Sequence, residues 1–130
     1  MTANQPEGRP KPARVTGPKH LIAAGMYSIG GLKRLWAETA FRHEVLVIVV
    51  VLAGLFLFGA SLLQILIATI LLLLLIATEA LNTALECIVD HVSPGWAEFA
   101  RDAKDLGSLA VLCILLANGV WLVTVAVSLI

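Results

Sequence analysis

Charge is scarce in this sequence and absent from long stretches of it. Charged residues make up 14% of the 130 residues and hydrophobic residues make up 59%. An ordinary soluble domain is about 25% charged and roughly 45–50% apolar. The formal net charge is zero, so the chain has no bulk positive charge with which to bind nucleic acid. The composition therefore excludes a typical soluble domain and favours a membrane protein.

Other absences exclude particular kinds of site. The two cysteines, Cys87 and Cys113, lie in largely apolar stretches and are too few for a disulfide framework. The three histidines are scattered, so no His/Cys cluster has the ligand spacing of a zinc site. Residues 25–31 have the glycine spacing of a phosphate-binding P-loop but lack the Lys and Ser/Thr that should follow.

Two long apolar runs predict membrane-spanning helices. Between residues 45 and 78 the only side chain more polar than Ser or Thr is Gln64, and after residue 105 the only one is Asn118. As one straight helix the first run would be about 51 Å long, against a hydrocarbon core of about 30 Å. It must fold back, and Gly59-Ala60-Ser61 offers the break, because Gly ends helices and Ser caps them. We predict spans at about residues 43–59, 62–90 and 106–128.

The segment before the first span predicts a tail and a surface helix. Residues 1–18 hold four of the five prolines, which predicts a disordered tail before a membrane domain of residues 19–130. Residues 19–43 repeat apolar side chains every three or four positions with basic residues between them, as amphipathic helices at the membrane interface do. The basic residues all fall in this N-terminal segment or in residues 91–104. The positive-inside rule therefore places both in the cytoplasm.

Four polar residues form one stripe where the second span meets the cytoplasm. Glu79, Asn82, Glu86 and Asp90 are spaced by three, four and four residues, which places them within an arc of about 80° on a helix. Neighbouring carboxylates repel one another unless a cation neutralises them, and Mg²⁺ prefers carboxylate oxygens together with substrate phosphates. Glu79 directly follows the apolar run, and an ionisable residue at membrane depth predicts a functional site. The alternative is a solvated helix end without a function.

Two further segments bring charge to the same membrane face. Glu38 and Glu44 lie where the surface helix leads into the first span. Glu38 can share a metal ion with Glu86 if the surface helix packs across the mouth of the second span. Lys104 and Asp105 lie where we expect the third helix to begin. A cation is disfavoured there, so Lys104 predicts a bound phosphate, whereas Asp105 predicts a cap or first-turn acid. The alternatives are interfacial charge for Glu44 and a positive-inside anchor for Lys104.

Two other classes of protein stay open on these residues. A small oligomeric transporter would use Glu79 as a proton-coupled residue, but it predicts a polar pathway, and the first and third spans offer few polar side chains. A purely structural membrane module leaves the carboxylate stripe without a reason. Three helices in one subunit are too few to enclose a site built on the carboxylate stripe, so we expect an oligomer on size alone.

Three segments carry motifs specific enough to compare with known families. Residues 79–90 have the pattern Glu-x-x-Asn-x-x-x-Glu-x-x-x-Asp, residues 103–108 read Ala-Lys-Asp-Leu-Gly-Ser, and residues 37–44 read Ala-Glu-Thr-Ala-Phe-Arg-His-Glu. In these motifs the chain resembles the small bacterial integral-membrane diacylglycerol kinases, over about residues 20–130. Gram-positive relatives of that family phosphorylate undecaprenol, but the surface helix and residues 41–44 look more like the diacylglycerol branch.

The resemblance implies a homotrimer of three-span subunits in the bacterial inner membrane, with composite active sites at the cytoplasmic surface. These sites would transfer the γ-phosphoryl group of ATP, bound with Mg²⁺, to the hydroxyl of diacylglycerol, giving phosphatidic acid. Matched by position, Glu79 is implied as the catalytic base, with Asn82 positioning the reacting groups. Glu38 and Glu86 are implied as the metal ligands.

The resemblance also implies contacts with both substrates. Nucleotide contacts fall on Lys104, Asp105, Tyr27 and Lys19, and lipid-substrate contacts on Ser28, Trp36, Glu44 and Ser108. The chain departs from the family at three points. A basic residue early in the surface helix corresponds to Lys19 or His20, Asp102 stands where relatives often have Arg, and the segment between Ser28 and Glu38 is one residue shorter.

Overall fold

The structure, a computed structural model, describes the backbone of residues 17–130 and the side chains of residues 22–130. This part of the chain contains four α-helices and no strand: α1 Pro18–Trp36, α2 Thr39–Leu57, α3 Leu62–Val92 and α4 Glu98–Ser128. Helices α2, α3 and α4 are long and apolar enough to cross a membrane. The predicted class, an all-α membrane protein with an amphipathic helix before three spans, is confirmed. Most of the predicted tail, residues 1–16, lies outside the described residues.

Helix α1 presents apolar side chains that the protein leaves uncovered. It begins with Pro18, whose missing N–H is harmless in a first turn. It ends with two basic residues in its last turn, which the negative end of the helix dipole favours. The side chains of Ile22, Met26 and Ile29 are each more than half exposed. An amphipathic helix with an exposed apolar side suits the membrane interface, as the sequence predicts.

The chain turns from α1 into α2 earlier than the sequence predicts. The surface helix is expected to continue to residue 43, but α1 ends at Trp36 and Glu38 is extended, with φ −79° and ψ 130°. Phe41 is fully buried, and its ring meets that of Trp36 edge-on with centroids 6.4 Å apart. Burying Phe41 stabilises this corner, so residues 39–43 belong to the first spanning helix.

The predicted break between the first two spans is confirmed at Gly59-Ala60-Ser61. Gly59 adopts the left-handed conformation at φ 77°, and the N–H of Ala60 donates to the carbonyl of Leu55 at 2.9 Å. These are the features of a Schellman helix end. Ser61 then starts α3 with a capping box, in which its side chain and that of Gln64 each accept a hydrogen bond from the other's backbone N–H.

Helices α3 and α4 form the most extensive helix pair of the fold. Asn118 donates to the carbonyl of Leu71 at 3.2 Å, and Trp121 donates to the carbonyl of Gln64 at 3.3 Å. Interhelical hydrogen bonds of this kind stabilise helix pairs in lipid. Each helix has 31 residues and is therefore about 46 Å long, which exceeds the hydrocarbon thickness of about 30 Å. The excess length carries the polar ends of both helices beyond the hydrocarbon.

Helix α4 begins at Glu98, which corrects the expected setting of Lys104 and Asp105. The sequence analysis places both at the start of the third helix, but that helix starts almost two turns earlier, after an extended Ala97. Residues 98–106 contain no Pro or Gly to interrupt it. Asp105 is therefore neither a cap nor a first-turn acid, and a phosphate at the helix N-terminus does not account for Lys104.

Candidate active site

Two residues of the polar stripe of α3, Glu79 and Glu86, lie near the corner between α1 and α2. Glu79 is partly buried, and the carboxylates of Glu38 and Glu86 are close enough to repel its negative charge. Glu44, on α2, also interacts electrostatically with Glu79. The structure thus brings the carboxylates of Glu38 and Glu44 near those of Glu79 and Glu86, although the two pairs are 35 residues apart in the sequence. We call this group the carboxylate cluster: Glu38, Glu44, Glu79 and Glu86.

Glu38 is held at the cluster by a basic residue of α1. Arg34 donates from Nη1 to Glu38 Oε1 at 2.5 Å, and from Nη2 to Cys87 Sγ on α3 at 3.7 Å. The hydrogen bond to Glu38, and to a smaller extent the one to Cys87, raises the pKa of the Arg34 guanidinium above its usual value. Since Cys87 follows Glu86 directly, Arg34 ties the α1–α2 corner to the part of α3 that carries the metal-ligand candidate.

Glu44 projects from the first span toward the interior. Its side chain is partly buried, and its Oε2 atom is buried without a hydrogen-bond partner among the described residues. Beside it lies a cavity of about 320 Å³ between α2, α3 and α4, with mainly apolar lining that includes Val47, Leu72 and Leu115. A buried polar atom without a partner is costly, so this carboxylate is suited to receive a hydrogen bond from a bound molecule.

Asn82 stands between the carboxylate cluster and α4. Its Nδ2 donates to Glu86 Oε1 at 3.1 Å. Its Oδ1 is buried without a hydrogen-bond partner among the described residues. One end of the amide therefore orients the Glu86 carboxylate, and the other end lies against Gly107 of α4.

Lys104 joins the far end of the polar stripe. Its Nζ pairs with Asp90 Oδ1 at 2.5 Å, and the negative charge of Glu86 also acts on it. Beside this pair is a pocket of about 300 Å³, where α3 turns into α4, whose mixed polar and apolar lining includes Ser93 and Arg101. Lys104 is thus the cation of α4 that the fold brings to the stripe.

Two other predicted residues of α4 are not brought into the cluster. Asp105 has an exposed side chain and reaches only Arg101, at 4.0 Å. Ser108 is exposed as well. Asp102, which departs from the family pattern, also pairs with Arg101, at 2.8 Å.

The predicted substrate contacts of the surface helix are mostly open to the surroundings. Tyr27 and Trp36 are exposed over 70% and 52% of their surface, so neither is held in a closed site by this chain alone. Ser28 donates to the carbonyl of Ala24 at 3.1 Å and borders an apolar groove of about 350 Å³ between α1 and α3. Lys19 belongs to α1, but its side chain lies outside the described residues.

The donor chemistry of the carboxylate cluster fits a hard divalent cation. Glu38 and Glu86 supply the carboxylate oxygens that Mg²⁺ prefers, and the cluster holds more negative charge than Arg34 neutralises. Among the described side chains of residues 22–130, no group of three or more His, Cys, Asp or Glu is close enough to hold a metal ion. Sites that use one or two carboxylates complete the coordination of Mg²⁺ with substrate phosphates.

Sequence reasoning missed two residues that the fold places at the cluster. Arg34 stands four positions before Glu38, but a helix end lies between them, so the spacing alone does not predict the ion pair. Gly107 lies directly against Asn82 across the α3–α4 pair. No signal in the sequence identifies this contact, because it depends on how the two helices are registered.

Comparisons with known proteins agree with this geometry. The family model for prokaryotic diacylglycerol kinase matches residues 26–126. A diacylglycerol kinase of Sinorhizobium sp is 50% identical over 106 residues, which cover 82% of this chain and 77% of the relative. A Haemophilus influenzae diacylglycerol kinase is 36% identical over 108 residues, covering 82% and 92%, and an Escherichia coli one is 37% identical over 99 residues, covering 75% and 80%. The chain belongs to the prokaryotic diacylglycerol kinase family.

Proposed function

We propose that this protein is a membrane-bound diacylglycerol kinase. It transfers the γ-phosphoryl group of MgATP to the free hydroxyl of diacylglycerol, and the products are phosphatidic acid and ADP. The observation that carries the proposal is the carboxylate cluster around Glu79, at the point where the apolar run of α3 ends. Membership in a family whose relatives bear this name supports it.

Glu79 is the general base of the proposed reaction. It lies on α3 where the apolar run ends, so a lipid hydroxyl in the bilayer and a phosphate in the cytoplasm can both reach it. The hydroxyl proton passes to the Glu79 carboxylate as the hydroxyl oxygen attacks the γ-phosphorus. The bond between that phosphorus and the β–γ bridging oxygen breaks, and ADP leaves with the bond's electrons. General bases of this kind contribute roughly 10²–10⁴-fold to a rate.

The other residues of the site position the phosphates. Glu38 and Glu86 would hold the Mg²⁺ ion, which when bound neutralises charge on the β- and γ-phosphates. Asn82 orients Glu86 through its hydrogen bond of 3.1 Å. Lys104 exchanges its pairing with Asp90 for the nucleotide phosphates. These roles suit phosphoryl transfer, where catalysis is mostly positioning and charge stabilisation.

The lipid approaches from the membrane side of the cluster. Glu44, next to Glu79 on the membrane side, contacts the diacylglycerol head. Ser28 lines the apolar groove along α1, and Trp36 contacts the lipid from the end of that helix. In this proposal Tyr27, Lys19 and Asp105 contact the nucleotide, and Ser108 contacts the lipid substrate. The exposure of Tyr27 and Trp36 in a single chain fits a site that neighbouring subunits of a homotrimer complete.

The orientation in the membrane follows from the basic residues. All Lys and Arg lie before residue 45 or in the first two turns of α4, and the 59–61 turn has none. The N-terminus and the carboxylate cluster then face the cytoplasm of a bacterial inner membrane, where ATP is available.

The test is ATP-dependent ³²P transfer in mixed micelles that offer diacylglycerol and undecaprenol side by side. Label on diacylglycerol is the expected result. Label mainly on undecaprenol would keep the chemistry and replace the substrate. No label on either lipid, from protein shown to be folded and oligomeric, would reject the kinase proposal and favour a transporter that uses Glu79 for proton coupling.

A further inference from the structure

We propose that Gly107 is a positioning residue for the reaction. Because it has no side chain, it leaves room for the Asn82 amide in the orientation that the reaction requires. The inference rests on the proposed function for its kinetic consequences. Its geometric basis is separate: Gly107 of α4 packs directly against the Asn82 amide of α3.

The chemistry of the two neighbours fixes the orientation of the Asn82 amide. An ionised Glu86 carboxylate only accepts hydrogen bonds, so the Nδ2 group of Asn82 must face it, as observed at 3.1 Å. The opposite atom, Oδ1, then points at α4, where it is buried without a hydrogen-bond partner among the described residues. The space that Oδ1 fills is the space that a side chain at position 107 would occupy.

A methyl group at position 107 would collide with Asn82 before it touched anything else. An added Cβ would overlap Asn82 Oδ1, lie 3.3 Å from Asn82 Cγ and lie 3.7 Å from Leu85 Cδ2. The backbone of α3 is not among these nearest atoms. The easiest relief is therefore rotation of the Asn82 side chain, which breaks its hydrogen bond to Glu86 and leaves the helix pair in place.

The matched control is a second glycine of the same helix. Gly119 also lies in α4, but an added Cβ there meets nothing within 4 Å. Both Gly→Ala substitutions improve helix propensity equally. A difference between Gly107→Ala and Gly119→Ala therefore reports the contact with Asn82.

The first experiment compares kcat, KM and thermal midpoint of wild type, Gly107→Ala and Gly119→Ala in mixed micelles. For Gly107→Ala we expect kcat to fall about 10- to 100-fold, because small displacements of active-site groups lower rates by factors of this size. Its KM values should change less than about twofold and its midpoint should not fall. Gly119→Ala should match wild type. A Gly107→Ala kcat within about twofold of wild type would overturn the proposal, as would a variant that does not fold, since the glycine would then serve packing alone.

The second experiment is a double-mutant cycle with Asn82→Ala. If Gly107 acts through Asn82, the double variant Asn82→Ala/Gly107→Ala should have the kcat of Asn82→Ala alone. Losses that multiply would show that Gly107 acts through another group and would overturn the proposal.

A third readout separates this inference from the proposed function. The side-chain amide NMR resonance of Asn82, identified by its loss in Asn82→Ala, should shift in Gly107→Ala and stay in place in Gly119→Ala. This result is expected even if wild type phosphorylates neither lipid. An unmoved resonance in Gly107→Ala would overturn the inference whatever the activity.

Discussion

Two polar atoms of the site, Glu44 Oε2 and Asn82 Oδ1, are buried without hydrogen-bond partners among the described residues. Such an atom costs roughly 1–3 kcal/mol in a folded protein. Both atoms belong to residues near Glu79, one on α2 and one on α3. Unpaired buried polar atoms are rare in native proteins, and their presence here fits a site arranged for a ligand rather than for stability.

Removing a proposed metal ligand should weaken the response to Mg²⁺. We expect Glu38→Gln and Glu86→Gln each to raise the Mg²⁺ concentration for half-maximal activity by about tenfold or more, because each removes an anionic oxygen donor. The measurement is a Mg²⁺ titration of activity at fixed ATP. Glu98→Gln is the control. Glu98 is exposed, and its ion pair with Arg101, at 3.9 Å, is weak. An unchanged Mg²⁺ requirement in Glu38→Gln would show that Glu38 is not a metal ligand and serves only as the ion-pair partner of Arg34.

The spacing of residues predicts part of this site and misses part of it. The stripe from Glu79 to Asp90 follows from helical periodicity, because all four residues lie on one helix. The pairing of Arg34 with Glu38, and of Lys104 with Asp90, depends on where helices end and how they pack. A single sequence contains no direct record of either.

At the scale of elements, helix ends set by local chemistry are predictable and helix ends set by packing are not. The 59–61 break is confirmed because Gly and Ser carry the conformational and capping preferences that a turn needs. The corner at Glu38 is placed too late because the buried Phe41 decides it. The start of α4 is also placed too late, since the charged residues after Glu98 are helical although they look like a loop.

The turn between α2 and α3 should be sensitive to a side chain at Gly59. Gly59→Ala forces an L-residue to φ 77°, which should lower the free energy of unfolding by about 1–2 kcal/mol. The measurement is equilibrium unfolding in mixed micelles by added denaturing detergent.

Gly54→Ala is the matched control for that experiment. Gly54 is inside α2, an added Cβ there meets nothing within 4 Å, and Ala should stabilise the helix by up to about 1 kcal/mol. Equal stability of the two variants would show that the turn is not held at a positive φ.

At the scale of the whole molecule, one chain is enough to form the carboxylate cluster, but not to cover the residues around it. The four carboxylates come together within one chain, whereas Tyr27, Trp36 and much of the apolar surface of the spans stay exposed in it. Lipid or further subunits must cover that surface. The sequence predicts that an oligomer exists, but its pattern does not fix which faces meet.

Subunit mixing tests this arrangement. Chemical cross-linking in membranes should give trimers. Trimers mixed from Glu79→Gln and Glu38→Gln subunits should recover no activity, because each site takes both carboxylates from one chain and so always lacks one. Dilution of wild type with Glu79→Gln, with activity proportional to the wild-type share, is the control. Recovery to roughly a quarter of wild-type activity would show that Glu38 and Glu79 of one site come from different subunits.

The central claim is that Glu79 is the base of phosphoryl transfer to a lipid hydroxyl. The most direct measurement is the rate of ³²P transfer from ATP to diacylglycerol by wild type, Glu79→Gln and Glu98→Gln, each shown to be folded. Glu79→Gln should lose about 10²–10⁴-fold in kcat, because an amide cannot take the proton. Glu98→Gln, the same chemical change at an exposed site on α4, should keep wild-type activity. A Glu79→Gln rate close to that of wild type would contradict the account.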